Sequence, residues 1–268
     1  MADNSLAVPF DSPHFSISHA PNTPLDKNIY VVDLHAPLEN RITLSVAQDW
    51  VRAYRHVEAL IVNSVSGGSA PFAPGAIITT SSVPKFFSYG LCPTTLHSNS
   101  MLADGFMPLL ATLLDLRVPT IALITGHAFG AGVPIALAHD YRIMNVRRGY
   151  ICMPPVELGL HFDGLGSLLR AKLAPSVARA TLLEARRWTG PEALANGIVD
   201  RAVEPERLYD EGVELAISVA DKARMGVYAL LRDELWGDAA RAFRLISYKS
   251  GREVRGWAPG LGGGKAKI

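Results

Sequence analysis

The sequence predicts an α/β fold of parallel strands joined by helical crossovers, and three observations carry that prediction. Short apolar runs of strand length alternate with segments whose apolar residues fall at helical spacing through the first two hundred residues. One stretch, Arg117 to Asp140, reads as strand, glycine turn and helix in immediate succession. Of the 268 residues, 49% are hydrophobic and 19% charged, enough apolar material for a large core and no signature of disorder. A core over residues 1–200 and a helical C-terminal region over residues 201–268 are expected.

Residues 1–27, rich in Pro, Ser and Asn, read as an irregular lead-in. Residues 28–34 form a first strand, and Asn40-Arg41-Ile42-Thr43 a second extended piece. Ser45 with Gln48 has the form of a capping box, and Val46, Trp50, Ala53, Tyr54 and Val57 then repeat at helical spacing. Ala59-Leu60-Ile61-Val62 reads as a buried strand, residues 64–74 as a Gly/Ser/Pro-rich surface loop and residues 76–80 as extended. KFFSYGL, from Lys85 to Leu91, reads as a turn with Gly90 near its end. Met101, Phe106, Leu109, Leu110, Leu113 and Leu114 mark a long helix.

Residues 118–124 are an almost unbroken apolar run, the mark of a strand buried on both faces. Gly126 to Gly132 turn the chain with small residues that let main chain approach main chain or a ligand. The helix that follows carries Pro134 in its first turn, where a missing N–H costs nothing. Short strands follow at 141–144 and 150–153, then helices at 167–173 and 176–185, a shorter helix from Thr189 and a last strand at 198–203. From Arg207 the pattern is helical to about Tyr248, and no repeat of fixed period is present.

Several function classes are disfavoured. A net charge of +1 gives no electrostatic case for nucleic acid or an acidic membrane surface. No apolar run reaches membrane-spanning length, and the N-terminal MADNSLAVPFDSP lacks the basic-then-apolar pattern of a secretory leader. Two cysteines, Cys92 and Cys152, are too few for a disulfide framework or a zinc cluster. They are expected as reduced thiols in an intracellular protein, with no metal site.

Four pieces stand in order along the chain: KFFSYGL, VPTIALITGHAFGAGVPIALAHDYRI, VELGLHFDGLG and ARRWTGPEALANGIVDRAV. Together, across Lys85 to Val203, they resemble the crotonase superfamily of enoyl-CoA hydratases and isomerases. The resemblance implies a spiral of strand-strand-helix turns, and C-terminal helices that cover the site or a neighbouring subunit. It also implies assembly as a homotrimer or hexamer, and an acyl-CoA thioester as ligand. Coenzyme A is then part of the substrate, and no separate cofactor is expected. Deprotonation beside a thioester carbonyl puts negative charge on its oxygen, and backbone N–H groups aimed at that oxygen stabilise it. The resemblance places these donors at the amides of Leu91, after Gly90, and Ala131, after Gly130. It places contacts to the acyl-CoA ligand at Lys85, Phe87, Ser88, Gly90, Gly130 and Lys249.

Hydratases of this family carry two glutamates, and the matching positions here are Pro134 and Pro155. Hydration needs a base for water and an acid for carbon, so it is disfavoured. Two other carboxylates remain. Asp163 stands four residues after Gly159, where the resemblance to 3,2-enoyl-CoA and dienoyl-CoA isomerases implies a carboxylate. Glu157 stands two before Gly159, where similar plant-type isomerases have an acidic residue. A double-bond shift needs one base, which removes an α proton and returns it two carbons along. Asp163 also reads as a helix cap before Gly164, and Glu157 as a surface or ion-paired residue. His127 and His161 read as structural, and Cys92 as packing.

Ala266-Lys267-Ile268, beyond the tether Gly262–Gly264, is a conservative variant of the Ser-Lys-Leu address read by the peroxisomal import receptor. The leading expectation is therefore a peroxisomal (otherwise cytoplasmic) 3,2-enoyl-CoA isomerase of fatty-acid β-oxidation. The alternatives are another crotonase-type hydratase or lyase of secondary metabolism, and an inactive binding subunit of the same fold.

Overall fold

The computed structural model describes residues 7–24, 26–64, 72–95, 98 and 100–248. Lys249 and the tail Ala266–Ile268 lie outside them. The chain opens with β1 (Ala7–Val8) and β2 (Phe15–His19), an antiparallel pair, and β2 pairs antiparallel with β3 (Asn28–Leu34). The lead-in is therefore not irregular. Phe15 and Ile17 alternate with polar neighbours and bury against the core, a period too short to stand out among prolines and serines.

A short turn, α1 (Pro37–Asn40), then α2 (Leu44–Asn63) follow. The cap of α2 is Thr43, whose Oγ1 accepts the Val46 N–H, and not a box at Ser45. The helix also runs through Ala59–Val62, where the sequence predicts a strand. Of those four residues only Ile61 is buried, one helical turn after Val57, so helical periodicity overrides the apolar run. The extended piece at residues 40–43 reduces to a single parallel bridge between Ile42 and Leu91.

From here each turn of the chain contributes one strand to a long sheet and one to a short sheet. The turns are β4 (Gly75–Ser81) with β5 (Phe86–Ser88), β6 (Thr120–Ile124) with β7 (His127–Phe129), and β8 (Tyr141–Asn145) with β9 (Ile151–Cys152). A π-helical turn at Met101–Phe106 leads into α3 (Met107–Asp115), and α4 (Gly132–Ala138) separates β7 from β8. KFFSYGL is thus a strand before it is a turn. The short sheet is β5-β7-β9, all parallel. The long sheet is ordered β1-β2-β3-β4-β6-β8-β10, parallel from β3 onward. This is the strand-strand-helix spiral.

Four helices follow β9: α5 (Pro155–Leu158), α6 (Leu165–Lys172), α7 (Pro175–Leu183) and α8 (Gly190–Ala195). The edge strand β10 (Arg201–Val203) comes next, then α9 (Leu208–Ala220) and α10 (Val227–Tyr248). Alternation along β3 divides the core: Tyr30, Val32 and Leu34 face the helices of the spiral, while Ile29 and Val31 face α9. Helix α10 lies against α3 and α6.

Its anchor is polar. Arg232, 3% exposed, gives its Nε to Asp140 Oδ1 at 2.8 Å and its Nη atoms to the Leu113 and Leu116 carbonyls at the end of α3. Asp140 in turn accepts the Thr120 N–H at 2.8 Å. Arg232→Ala would leave the Asp140 charge buried without its cation, so the unfolding free energy should fall by about 3–5 kcal/mol. Urea titration measures this, and a loss below about 1 kcal/mol would mean that α10 is held by its apolar contacts alone.

Candidate active site

Two loops that end strands of the short sheet meet main chain to main chain. After β5 the chain passes through Gly90 at φ +87°, and after β7 through Gly130 at φ +54°. A Cβ on Gly90 would sit 2.8 Å from Phe129 O and 3.1 Å from the Ala131 nitrogen, and one on Gly132 would sit 2.7 Å from Ser88 O. Both positions are closed to any side chain, so glycine is what allows the loops to touch. The contact brings the Leu91 and Ala131 peptide groups side by side.

Most nearby amides are committed. Gly130 N–H donates to Cys152 O at 2.9 Å, Val133 N–H to Gly130 O at 3.1 Å and Gly90 N–H to Ser88 Oγ at 3.2 Å. Among the described residues, neither the Leu91 N–H nor the Ala131 N–H donates to a protein acceptor. Paired donors left open in this way suit an oxygen that gains negative charge.

The carboxylates lie in the segment after β9. Asp163 occupies the turn between α5 and α6, its side chain 33% exposed and its Oδ1 3.9 Å from His161 Nδ1. It is not a helix cap. The N-cap of α6 is Gly164, at φ +86° and without a side-chain bond. Glu157 is exposed in α5. It acts at a distance on Cys152: burial pushes that thiol up, the Arg187 charge opposes this and the Glu157 charge adds to it. Pro134 and Pro155 are both buried, in α4 and at the first position of α5.

A cavity of about 330 Å³ opens beneath the Asp163 turn. Phe162 and Gly164, on either side of Asp163, line it together with Pro155, Leu160, Leu165 and Leu182. Its wall is overwhelmingly apolar, and α6, which follows Asp163, packs on α4, which follows Ala131. The volume falls within the range of small-ligand sites. Helical spacing in residues 176–185 makes α7 legible in the sequence, but nothing local shows that Leu182 turns to this cavity.

The remaining expected residues divide. Lys85 is exposed, with Nζ 5.2 Å from the Phe86 ring. Phe87 and Ser88 are fully buried, so neither side chain is exposed to meet coenzyme A. The Cys92 thiol is lowered, first by its hydrogen bond from Thr94. Burial lowers His127, whose ring packs on Phe86 and Tyr150 and whose Nδ1 is buried without a partner. Among the described residues no group of three or more His, Cys, Asp or Glu side chains is placed to hold a metal ion, and no helix is long and apolar enough to cross a membrane.

Ala131 has φ −63°, the value proline imposes, and its N–H bonds nothing in the protein. Ala131→Pro should therefore stay within about 1 kcal/mol of the parent in urea unfolding. Gly90→Ala, with its Cβ forced onto Phe129 O, should lose about 1–3 kcal/mol. Equal stabilities would contradict this contact geometry.

A sequence model of the enoyl-CoA hydratase/isomerase family matches residues 25–241. Enoyl-CoA delta isomerase 3 of Arabidopsis thaliana is 33% identical over 213 residues, 75% of this chain and 90% of the relative. The peroxisomal enoyl-CoA delta isomerase 2 of the same plant is 35% identical over 196 residues, 66% of this chain and 80% of its own. A carnitinyl-CoA dehydratase of Salmonella arizonae is 35% identical over 158 residues, 57% of this chain and 60% of its own. An Mtb enoyl-CoA isomerase structure superimposes with a TM-score of 0.72 at 21% identity, covering 84% of this chain and 94% of that one. The spiral of two sheets, the touching glycine loops and these matches lead to one conclusion: the chain belongs to the enoyl-CoA hydratase/isomerase family.

Proposed function

We propose that this protein is an enoyl-CoA isomerase that converts 3-enoyl-CoA to the 2-trans isomer. The observation that carries the reading is a pair of open backbone donors, at Leu91 and Ala131, in a fold whose two hydratase glutamate positions are buried prolines. The thioester carbonyl sits on those two amides. Asp163 removes a proton from C2, the charge moves onto the carbonyl oxygen, and the same carboxyl returns the proton at C4. The electron pair of the broken C2–H bond becomes the new C2=C3 bond, and the former C3=C4 pair forms the new C4–H bond. No water is consumed and no second acid is required. The hydrocarbon part of the substrate enters the apolar cavity beside Asp163, and Lys85 and Lys249 meet the phosphates of coenzyme A. No separate cofactor takes part.

The isomerase names among the relatives support this chemistry, and the peroxisomal relatives support that compartment. Import is assigned to the receptor-read tail Ala266-Lys267-Ile268. Leu230, Leu231 and Leu235, each more than half exposed on α10, favour assembly with further copies as a homotrimer or hexamer. The carnitinyl-CoA dehydratases favour a second reading, elimination or addition of water across an acyl-CoA double bond.

Asp163→Asn keeps the shape but cannot take the proton. It should lose nearly all conversion of 3-enoyl-CoA while binding acyl-CoA and melting near the parent, and Glu157→Gln should retain most activity. The reverse ranking would move the proton to Glu157. Full activity in both would end the reading. Ala131→Pro, which removes one donor, should lower turnover by about two orders of magnitude. Hydration of 2-enoyl-CoA by the parent at a comparable rate would favour the second reading.

A further inference from the structure

The Leu91 amide is aimed by the turn at residues 39–42. Gly90 C=O and Leu91 N–H belong to one planar trans peptide group and point in opposite directions. The Ile42 N–H holds Gly90 O at 2.8 Å, so the Leu91 N–H must point away from Ile42. Cys92 N–H donates to Ile42 O at 3.0 Å, and Tyr89 N–H to Glu39 O at 3.1 Å. Residues 39–42 thus run beside the loop as a main-chain template.

That template is itself bolted down by one side chain. Asn40 is fully buried and left-handed, at φ +55°, a conformation asparagine tolerates better than most residues. Its Nδ2 lies 2.6 Å from Ser81 Oγ and 3.2 Å from both Phe86 O and Phe87 O, tying the turn to the ends of β4 and β5. Its carbonyl accepts the Ser88 hydroxyl at 2.8 Å, and Ser88 Oγ in turn accepts the Gly90 N–H. One chain of bonds therefore runs from Asn40 through Ser88 to Gly90, and a second from Ile42 to the far side of the same residue. Asn40 Oδ1 is buried without a hydrogen-bond partner, which makes this residue a poor choice for packing alone.

We propose that Asn40 and Ser88 are positioning residues that set the direction of the Leu91 N–H toward the thioester oxygen. This rests on the isomerase reading for the oxygen itself. Ser88 then serves the substrate through the backbone it holds, and not by touching coenzyme A.

The test is the infrared carbonyl stretch of butyryl-CoA carrying ¹³C at the thioester carbon, a saturated probe that cannot isomerise. Bound to the parent protein, the stretch should move to lower frequency, because two N–H groups polarise the carbonyl. Asn40→Gly keeps the left-handed turn and removes the amide, and Ser88→Ala removes the hydroxyl bridge. Each should lose much of that shift and roughly tenfold or more in kcat with 3-enoyl-CoA, with butyryl-CoA Kd changed by less than about threefold. A purely structural role would lower the melting temperature but leave the shift of the folded, ligand-bound protein intact. A parental shift in either folded variant overturns the proposal. Should Asn40→Gly fail to fold, Ser88→Ala decides alone. No shift in the parent with probe bound would instead remove the donor pair, and the isomerase reading with it.

Discussion

The close approach of two main chains at Gly90 is the constraint from which the site follows. Phe129 O and the Ala131 nitrogen stand where a Cβ on Gly90 would be, at 2.8 and 3.1 Å. Parallel pairing of β5 with β7 brings the two loops to the same edge of the short sheet, and the missing side chain lets them touch. The amides of Gly90, Gly130 and Val133 then find partners, while those of Leu91 and Ala131 do not. In a folded protein such donors are usually paired. Among the described residues both stay open here, so the site is defined by backbone geometry more than by side chains.

A second layer of charge sits behind that site and fixes what lies around it. Asp140 follows α4 directly and joins Thr120 on β6 to Arg232 on α10. Lys172, at the end of α6, donates to His139 O and lies 3.0 Å from the centre of the Trp236 ring. Burial holds its amine well below the usual lysine range, and burial pushes His139 down to about 3. His139 is thus neutral, its ring nitrogens shared among Ile135 O, Thr79 Oγ1 and the Tyr54 hydroxyl. Helices α4, α6 and α10 meet on this cluster. The elements that carry Ala131 and Asp163 are therefore braced against one another through the same few residues.

How much of this was legible in the sequence depends on the length scale of each feature. The parallel strands at residues 76–80 and 120–124 and the long C-terminal helices appear as runs or periods, and the structure contains them. The run at Ala59–Val62 misled because four apolar residues look alike in a strand and at a helix end, and only burial of Ile61 alone separates the two. The glycines at 90 and 130 are visible as turns in one dimension, but only the family resemblance singles out the amides that follow them as donors. Asn40 was not visible as a brace. Its partners Ser81, Phe86 and Phe87 lie forty or more residues away, and its value comes from a left-handed turn that no local pattern announces. Asp163 was ambiguous between cap and base, and the Gly164 cap of α6 removes the first of those readings.

The central claim is that one carboxyl carries a proton from C2 to C4 of a thioester whose enolate oxygen rests on two backbone amides. Its most direct test is the fate of deuterium placed at C2 of a 3-enoyl-CoA, followed by NMR of the product. The account predicts a 2-trans-enoyl-CoA with at least part of the deuterium at C4. A product bearing oxygen at C3, or recovery of unchanged substrate, would contradict it.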